Sequence, residues 1–407
     1  MPRVDVDAGV TAAPVTIFRK GLDLKDAVAG SLARDYHSQL VAEIRRTGEG
    51  WRRGRLHVHL AKEFGFCYGV DRAVDYAYQA RKRFPDQNVY LTGEIIHNPQ
   101  VNTRLRESGI RFLSDPGESI GQVRQHDVVI LPAFGVTIDQ LSQLERQGCT
   151  LVDTTCGSVL NVWKNVRQYT KAGLTAVIHG KVRHEETQAT ASQALSGQYL
   201  VILDRDEANV LCGFIRGLVS AKELLNRFKN AHSPGFEPDR DLQRIGLANQ
   251  TTMLMSESLE IGDMIRGALS DRYGSDALAG NYRAFETICS ATQDRQDAVH
   301  ALLAKRIFDL AVVIGGYNSS NTRNLARICA DAVPSFHIAD ANCLRSSAEI
   351  LYRPTTASPS APAQGQEIAH DWFPVRDKVT VAVTAGASTP DSIVGDVIDR
   401  LGVIAQG

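Results

Sequence analysis

Residues 56–78 read LHVHLAKEFGFCYGVDRAVDYAY. The first five alternate. Leu56, Val58 and Leu60 fall on one side and His57 and His59 on the other, the period of a half-buried strand. Beyond the turn FGFCYG, Val70, Ala73, Val74, Ala77 and Tyr78 recur at helical spacing. Strand, turn and helix in that order form the unit from which parallel sheets are built. The unit returns along the chain. VYLTG, VVILPAFG, TAVIHG, RIGLANQ, LAVVIGG and VTVAVTAG are short apolar runs, most of which end in Gly, Asn or His and lead into a helical pattern. The expected class is therefore α/β, with mostly parallel sheets covered by helices. No close sequence repeat accompanies the pattern. In open sheets of this kind ligands sit beyond the carboxyl ends of the strands, and the polar residues of this chain cluster there.

The chain has 407 residues, enough for two to three domains at about 150 residues each. Boundaries near 55, 155 and 288 give an N-terminal extension, 1–55, and three α/β units, 56–155, 156–288 and 289–407. In the extension, Leu22 to Arg46 has the spacing of one docked amphipathic helix. Residues 19–55 hold nine Lys and Arg against five Asp and Glu. That excess suits a solvated basic face, or an arm that meets an acidic electron carrier. From Gln188 to about Asp241 the pattern is poorly punctuated. Residues 353–366, RPTTASPSAPAQGQ, read as a mobile surface loop. Lys plus Arg is 45 and Asp plus Glu 46, a formal net charge of -1, which argues against a nucleic-acid partner. No apolar run reaches the roughly 18 residues of a membrane span. The N-terminus has no targeting pattern, so a cytoplasmic setting is expected.

Seven cysteines, sparse and odd in number, do not make a disulfide framework. Three stand apart. Cys67 lies in FGFCYGVDRAV, Cys156 in LVDTTCGSVLNVW and Cys289 in FETICSATQDRQDAV. Each follows an extended segment and opens a helix, where free N–H groups and the dipole favour a thiolate. One such turn per unit suggests a shared centre. Three thiolates suit Zn²⁺ with a water in the fourth position, or a [4Fe–4S] cluster with one iron lacking a cysteine. Cys212 and Cys329 lie on apolar helical faces and read as core fillers.

At the strand ends lie His97 in GEIIHNPQVN and His184, Glu185 and Glu186 in IHGKVRHEETQAT. Asn249, Gln250, Thr251 and Thr252 lie in NQTTM, Ser319, Ser320 and Asn321 in GGYNSSNT, and Ser388 in TAGASTPD. Histidines among Ser, Thr and Asn at helix N-termini suit a phosphate or diphosphate. Neither a GxxxxGK[ST] nor a strand-following GxGxxG is present, which argues against a nucleotide. The anion would then be held by neutral donors and imidazoles. A proton carrier should sit beside it. If the segment is extended, Glu186 faces the same way as His184, and Glu185 points away.

Together these motifs closely resemble the 4-hydroxy-3-methylbut-2-enyl diphosphate reductase family. GFCYGVDRA, EIIHNPQVN, DTTC, IHGKxxHEET, NQTTM, TICxATQxRQDA, GGYNSSNT and TAGASTPD occur in family order over about residues 56–407, and the extension and LPAFGV are similar to its cyanobacterial and plastid branch. The resemblance implies three α/β domains in a pseudo-threefold trefoil around a central iron–sulfur site. It implies one [4Fe–4S] cluster on Cys67, Cys156 and Cys289, with an open fourth iron for the substrate hydroxyl. It gives the diphosphate to His97, His184, Ser319, Ser320, Asn321 and Ser388, proton delivery to Glu186, and a place near the hydroxyl to Thr251. The reaction implied is the last step of the methylerythritol phosphate route, yielding isopentenyl and dimethylallyl diphosphates with electrons from ferredoxin or flavodoxin. A monomer or homodimer is expected. Two residues depart from the family. Phe134 stands where many bacterial members have a substrate-contacting histidine, and Gly157 follows Cys156 where Pro is usual. Altered diphosphate contacts and a looser Cys156 turn are the expectations. An iron–sulfur hydro-lyase acting on a small phosphorylated alcohol, or a non-catalytic iron–sulfur or zinc sensor, would use the same three thiols.

Overall fold

The computed structural model describes residues 16–48, 50–194, 197–285, 287–355 and 365–406. Three mostly parallel sheets carry the fold. The first runs Ile17–Phe18, Thr150–Asp153, Val128–Leu131, Val89–Leu91, Ile110–Phe112. The second runs Tyr282–Ala284, Ile245–Asn249, Thr175–His179, Tyr199–Ile202. The third runs Trp51–Arg53, Leu56–Leu60, Val379–Ala385, Leu310–Ile314, Ser335–Ile338. All pairings are parallel except that of Trp51–Arg53 with Leu56–Leu60. Helices cover the sheets, as the alternating pattern requires. The strands Val128–Leu131, Thr175–His179, Ile245–Asn249 and Leu310–Ile314 are buried at every residue. That is why they read as unbroken apolar runs rather than alternating ones.

Written in this order, the sheets share a core of four strands. The first ends just before a cysteine turn: Asp153 before Cys156, Ala284 before Cys289, Leu60 before Cys67. The third leads to a polar helix start: Leu91 to His97, His179 to His184, Ile314 to Ser319. This is the pseudo-threefold trefoil.

Sheet membership departs from the order along the chain. The strand Leu56–Leu60 does not join the sheet of Val89–Asp153. It pairs with Val379–Val383 at the far end of the sequence. In its place, Ile17 and Phe18 pair with Leu151 and Val152. The strands Ile17–Phe18 and Trp51–Arg53 of the extension are therefore built into two of the sheets. The single helix expected over 22–46 is two, Lys25–Tyr36 and Gln39–Thr47. His37 and Ser38 are extended, and the Ser38 hydroxyl caps the second helix by accepting from Val41 N. The first helix packs on Tyr68–Arg83, where Gln79 Oε1 accepts from Leu22 N and Leu24 N at 2.9 and 3.2 Å. The second packs on Asp391–Ile404, where Arg45 pairs with Asp391. The run Gln188 to Asp241 hides one strand, Tyr199–Ile202, and short helices at Arg205–Ile215 and Ala221–Arg227. Residues 356–364 of the expected loop lie outside the described residues. Its start is anchored, since Arg353 is buried and donates its backbone N–H to His337 O. The antiparallel strands Glu349–Tyr352 and Glu367–His370 flank it.

Val41 and Ile44 are buried in the same core as Val381, Val394 and Leu401. Ile44→Ala is thus expected to cost about 2–5 kcal/mol, measured by urea unfolding of the whole chain. A detachable arm would show no loss.

Candidate active site

The three cysteines are each the N-cap of a helix: Tyr68–Arg83, Gly157–Lys171 and Ser290–Lys305. Their backbones are alike, with φ/ψ of -86/164, -65/141 and -73/145. The backbone N–H of each donates to a carbonyl beyond the neighbouring strand. Cys67 N binds Ala387 O at 3.2 Å, Cys156 N binds Ala133 O at 3.0 Å and Cys289 N binds Thr251 O at 3.1 Å. Those acceptors lie two residues past Ala385, Leu131 and Asn249, the ends of equivalent strands. One backbone device therefore holds all three turns. Gly157 keeps the same extended cap before it, and a Cβ there would meet nothing within 4 Å. The turn is held by the Cys156 N–H bond whether or not Pro follows.

The thiols of Cys67 and Cys156 approach each other at Gly69. A Cβ on Gly69 would lie 2.7 Å from Cys156 Sγ and 4.0 Å from Cys67 Sγ, so only glycine leaves room for Cys156 at this point. Charge on Cys156 bears on Cys67, and charge on Cys67 bears on Cys289. Burial raises the Cys67 thiol and pushes the Cys289 thiol up to about 11. Burial thus outweighs the helix ends expected to favour thiolate. Cys149, Cys212, Cys329 and Cys343 are buried. Cys212 and Cys329 fill apolar clusters, as their spacing suggests.

Glu186 lies beside the Cys289 turn. It is 1% exposed. Its Oε1 accepts from Thr251 N at 2.6 Å and its Oε2 from Thr251 Oγ1 at 3.0 Å. Thr251 is the residue whose carbonyl holds Cys289 N. Burial pushes the Glu186 carboxyl up to about 7, against the pull of the two Thr251 bonds. The segment is not extended, since a helix starts at Glu185 with His184 as its N-cap. Glu186 turns inward because it occupies the second helical position, not because of a period of two. Glu185 is half exposed, but its Oε2 comes within 3.6 Å of His97 Nε2 instead of pointing away.

His184 Nδ1 accepts from Glu186 N at 3.1 Å, so the neutral ring carries its proton on Nε2. His184 Nε2 lies 3.1 Å from His97 Nε2, and His97 Nδ1 lies 2.9 Å from Glu94 Oε2. The consistent assignment is a chain of donors: Glu186 N–H to His184, His184 to His97, His97 to Glu94. Burial, then His97 and Lys181, hold the His184 pKa well below its ordinary value, in keeping with a neutral ring. Phe134 stacks on His97 with ring centroids 4.4 Å apart.

The other anticipated residues meet from the third sheet. Ser388 Oγ donates to His97 O at 3.2 Å, and Asn98 Nδ2 donates to Ser388 O at 2.9 Å. Asn321 Oδ1 accepts from Ala387 N at 3.0 Å, while its Nδ2 is buried with no partner among the described residues. That amide is a ready donor to an anion. Ser319 caps the helix Ser320–Ala330. Ser320 Oγ accepts from Lys181 Nζ at 2.7 Å. Lys181 was missed in the sequence, although it sits in IHGKVRHEET directly after a strand. Its amine stands among the neutral donors and imidazoles that the sequence suggested. Burial, with Arg323 and Arg353 nearby, lowers its pKa to about 7. A cavity of about 570 Å³ opens onto Glu94, His97, Lys181, His184, Glu185 and Asn318, and a second of about 350 Å³ lies on the other side of Lys181, against Ser320. The oxygen and nitrogen donors of His97, His184 and Glu185 lie within 4.8 Å of one another.

Fold and site together define a three-lobed α/β protein with one thiol-bearing turn per lobe and a pocket lined by histidines, acids and a lysine. The LytB protein family matches residues 58–402, and the chain belongs to that family. It is 45% identical to the 4-hydroxy-3-methylbut-2-enyl diphosphate reductase of Synechococcus sp. (strain CC9311), over 95% of this chain and 96% of that one. It is 42% identical to the reductase of Rippkaea orientalis (strain PCC 8801 / RF-1), over 94% and 93%. A solved structure of (E)-4-hydroxy-3-methyl-but-2-enyl diphosphate reductase, the terminal enzyme of the non-mevalonate pathway, superposes with a TM-score of 0.51 at 26% identity, covering 85% of this chain and 99% of that one. The Plasmodium falciparum E-1-hydroxy-2-methyl-but-2-enyl-4-diphosphate reductase shares the fold, with a TM-score of 0.60 at 19% identity and coverage of 86% and 88%.

Gly69 separates packing from helix propensity. Gly69→Ala improves the helix by about 1 kcal/mol in intrinsic terms, yet drives a methyl group against Cys156. Its expected outcome is an intact fold by circular dichroism and a lower iron content after anaerobic reconstitution.

Proposed function

We propose that the chain reductively removes the hydroxyl of (E)-4-hydroxy-3-methylbut-2-enyl diphosphate, giving isopentenyl and dimethylallyl diphosphates. One observation carries the reading. The buried Glu186 is joined by its carboxyl through Thr251 to a cysteine turn on one side, and by its backbone N–H to His184 at a polar pocket on the other. Family membership and the names of the relatives support it.

Cys67, Cys156 and Cys289 would hold a [4Fe–4S] cluster. The space left by Gly69 and the matching backbones of the three turns fit that role. When bound, such a cluster supplies electrons one at a time from an external donor, ferredoxin or flavodoxin, and an iron corner for the substrate oxygen. The balance is simple. Two electrons and two protons convert C–OH into C–H and water. Glu186, near neutrality when buried, is the group that delivers a proton, and Thr251 Oγ1 lies at its carboxylate to orient it.

The diphosphate would displace the contact between His97 and His184. A phosphate oxygen then accepts the His184 Nε2 proton. His97 keeps its Nδ1–H on the Glu94 carboxylate, and its freed Nε2 becomes a second donor only with a proton taken up together with the diphosphate. Ser320, Asn321 and Ser388 close the other side, with Ser319 shaping the helix start. Lys181 adds a positive charge at Ser320. Phe134 fixes the plane of His97 in place of offering a further hydrogen bond, so diphosphate contacts are altered and activity is retained.

The decisive assay is anaerobic. Purified protein with a low-potential dye reductant should convert the hydroxylated diphosphate to both products. Turnover without reductant would instead favour a hydro-lyase. Glu186→Gln should retain the cluster spectrum and lose turnover by about 10²- to 10⁴-fold. Because the acid form is the donor, wild-type rate should fall as pH rises through about 7, and the variant should lack that limb. Lys181→Met should raise KM for the diphosphate about 10- to 100-fold, the loss of one charge-assisted contact, with kcat little changed.

A further inference from the structure

We infer that Arg295 is a positioning residue that ties the Cys67 and Cys289 turns together and raises the reduction potential of the cluster between them. The inference rests on the cluster reading above and names a residue outside its ligand set. Arg295 lies on the helix that Cys289 opens and is 5% exposed. A buried guanidinium stays charged and needs acceptors. It finds two. Nη1 donates to Ala291 O at 2.7 Å and Nη2 to Gly65 O at 2.7 Å. Ala291 lies two residues after Cys289, and Gly65 two residues before Cys67. The planar fork thus spans two turns that are 222 residues apart in sequence, which a lysine ammonium on a flexible stem would not hold in the same way.

The remaining donor, Nε, is buried with no acceptor among the described residues. The charges that bear most on Arg295 are those of Cys67 and Cys289, ahead of Glu63 and Asp294, both of which are exposed. A fixed cation beside a sulfur-bound cluster stabilises the reduced state more than the oxidised one, because reduction adds negative charge close to it. The external one-electron donor is thereby given an easier acceptor.

The test uses the full chain, reconstituted anaerobically, with potentials read by EPR-monitored redox titration and cluster loss followed by absorbance in the presence of a chelator. Arg295→Gln should shift the midpoint to lower potential and speed cluster loss. Arg295→Lys keeps the charge but not the fork. It should hold the potential near wild type while still losing cluster faster. A fully loaded Arg295→Gln protein with unchanged potential would overturn the inference. If that variant takes up no cluster, Arg295→Lys decides, since an unchanged rate of cluster loss there would also overturn it. Failure of the wild-type chain to bind a cluster at all would overturn the underlying reading instead.

Discussion

Three backbone hydrogen bonds organise this molecule: Cys67 N to Ala387 O, Cys156 N to Ala133 O and Cys289 N to Thr251 O. Each joins the start of a helix to the end of the strand beside the one that precedes it. An N-cap residue needs extended backbone and leaves free N–H groups behind it. Fastening the cap to the adjacent strand end meets the first need and aims the side chain beyond the sheet. Because the bond is made by main-chain atoms, it tolerates very different neighbours: Ser388 beside Ala387, Phe134 beside Ala133, Thr252 beside Thr251. Geometry is shared among the lobes while chemistry is divided between them.

That division explains what could be read in advance. The central strands were legible because burial on both faces forces continuous Val, Ile, Leu and Ala, as in VVIL and LAVVI. The cysteine turns were legible because a thiol at a helix start is conspicuous. Edge strands of two to four residues, such as Ile17–Phe18 and Tyr199–Ile202, were not, since so short a run cannot display a period. The break at His37 and Ser38 was hidden because apolar residues continue in helical register across it. Proximity along the chain also misled: Leu56–Leu60 is followed closely by the first lobe, yet its alternating pattern says nothing about which strand it will meet.

Within the site, residue types were legible and their partners were not. Glu186 was singled out on the premise of an extended segment, whereas the helix start at Glu185 is what buries it. Lys181 was passed over because a lysine is normally solvated. It is held inward by Ser320, a residue of a different lobe. The histidines form a relay whose proton positions follow from one backbone donor, Glu186 N. A polar network of this kind is fully specified only when every member has its partner. Asn321 Nδ2, buried beside it, has no partner among the described residues.

The pairing of Leu56–Leu60 with Val379–Val383 bears on biosynthesis. The strand that leads into Cys67 leaves the ribosome more than 300 residues before the strand beside it. Joining ends so far apart adds only modestly to the equilibrium cost of closure, which grows with the logarithm of length. It weighs heavily on rate, because non-local parallel pairing is slow. A nascent chain therefore exposes one unpaired edge of Leu56–Leu60 until Val379–Val383 emerges. The Cys67 turn cannot take its final shape until Ala387 arrives, so a metal centre that needs all three thiols can be completed only after that residue has emerged.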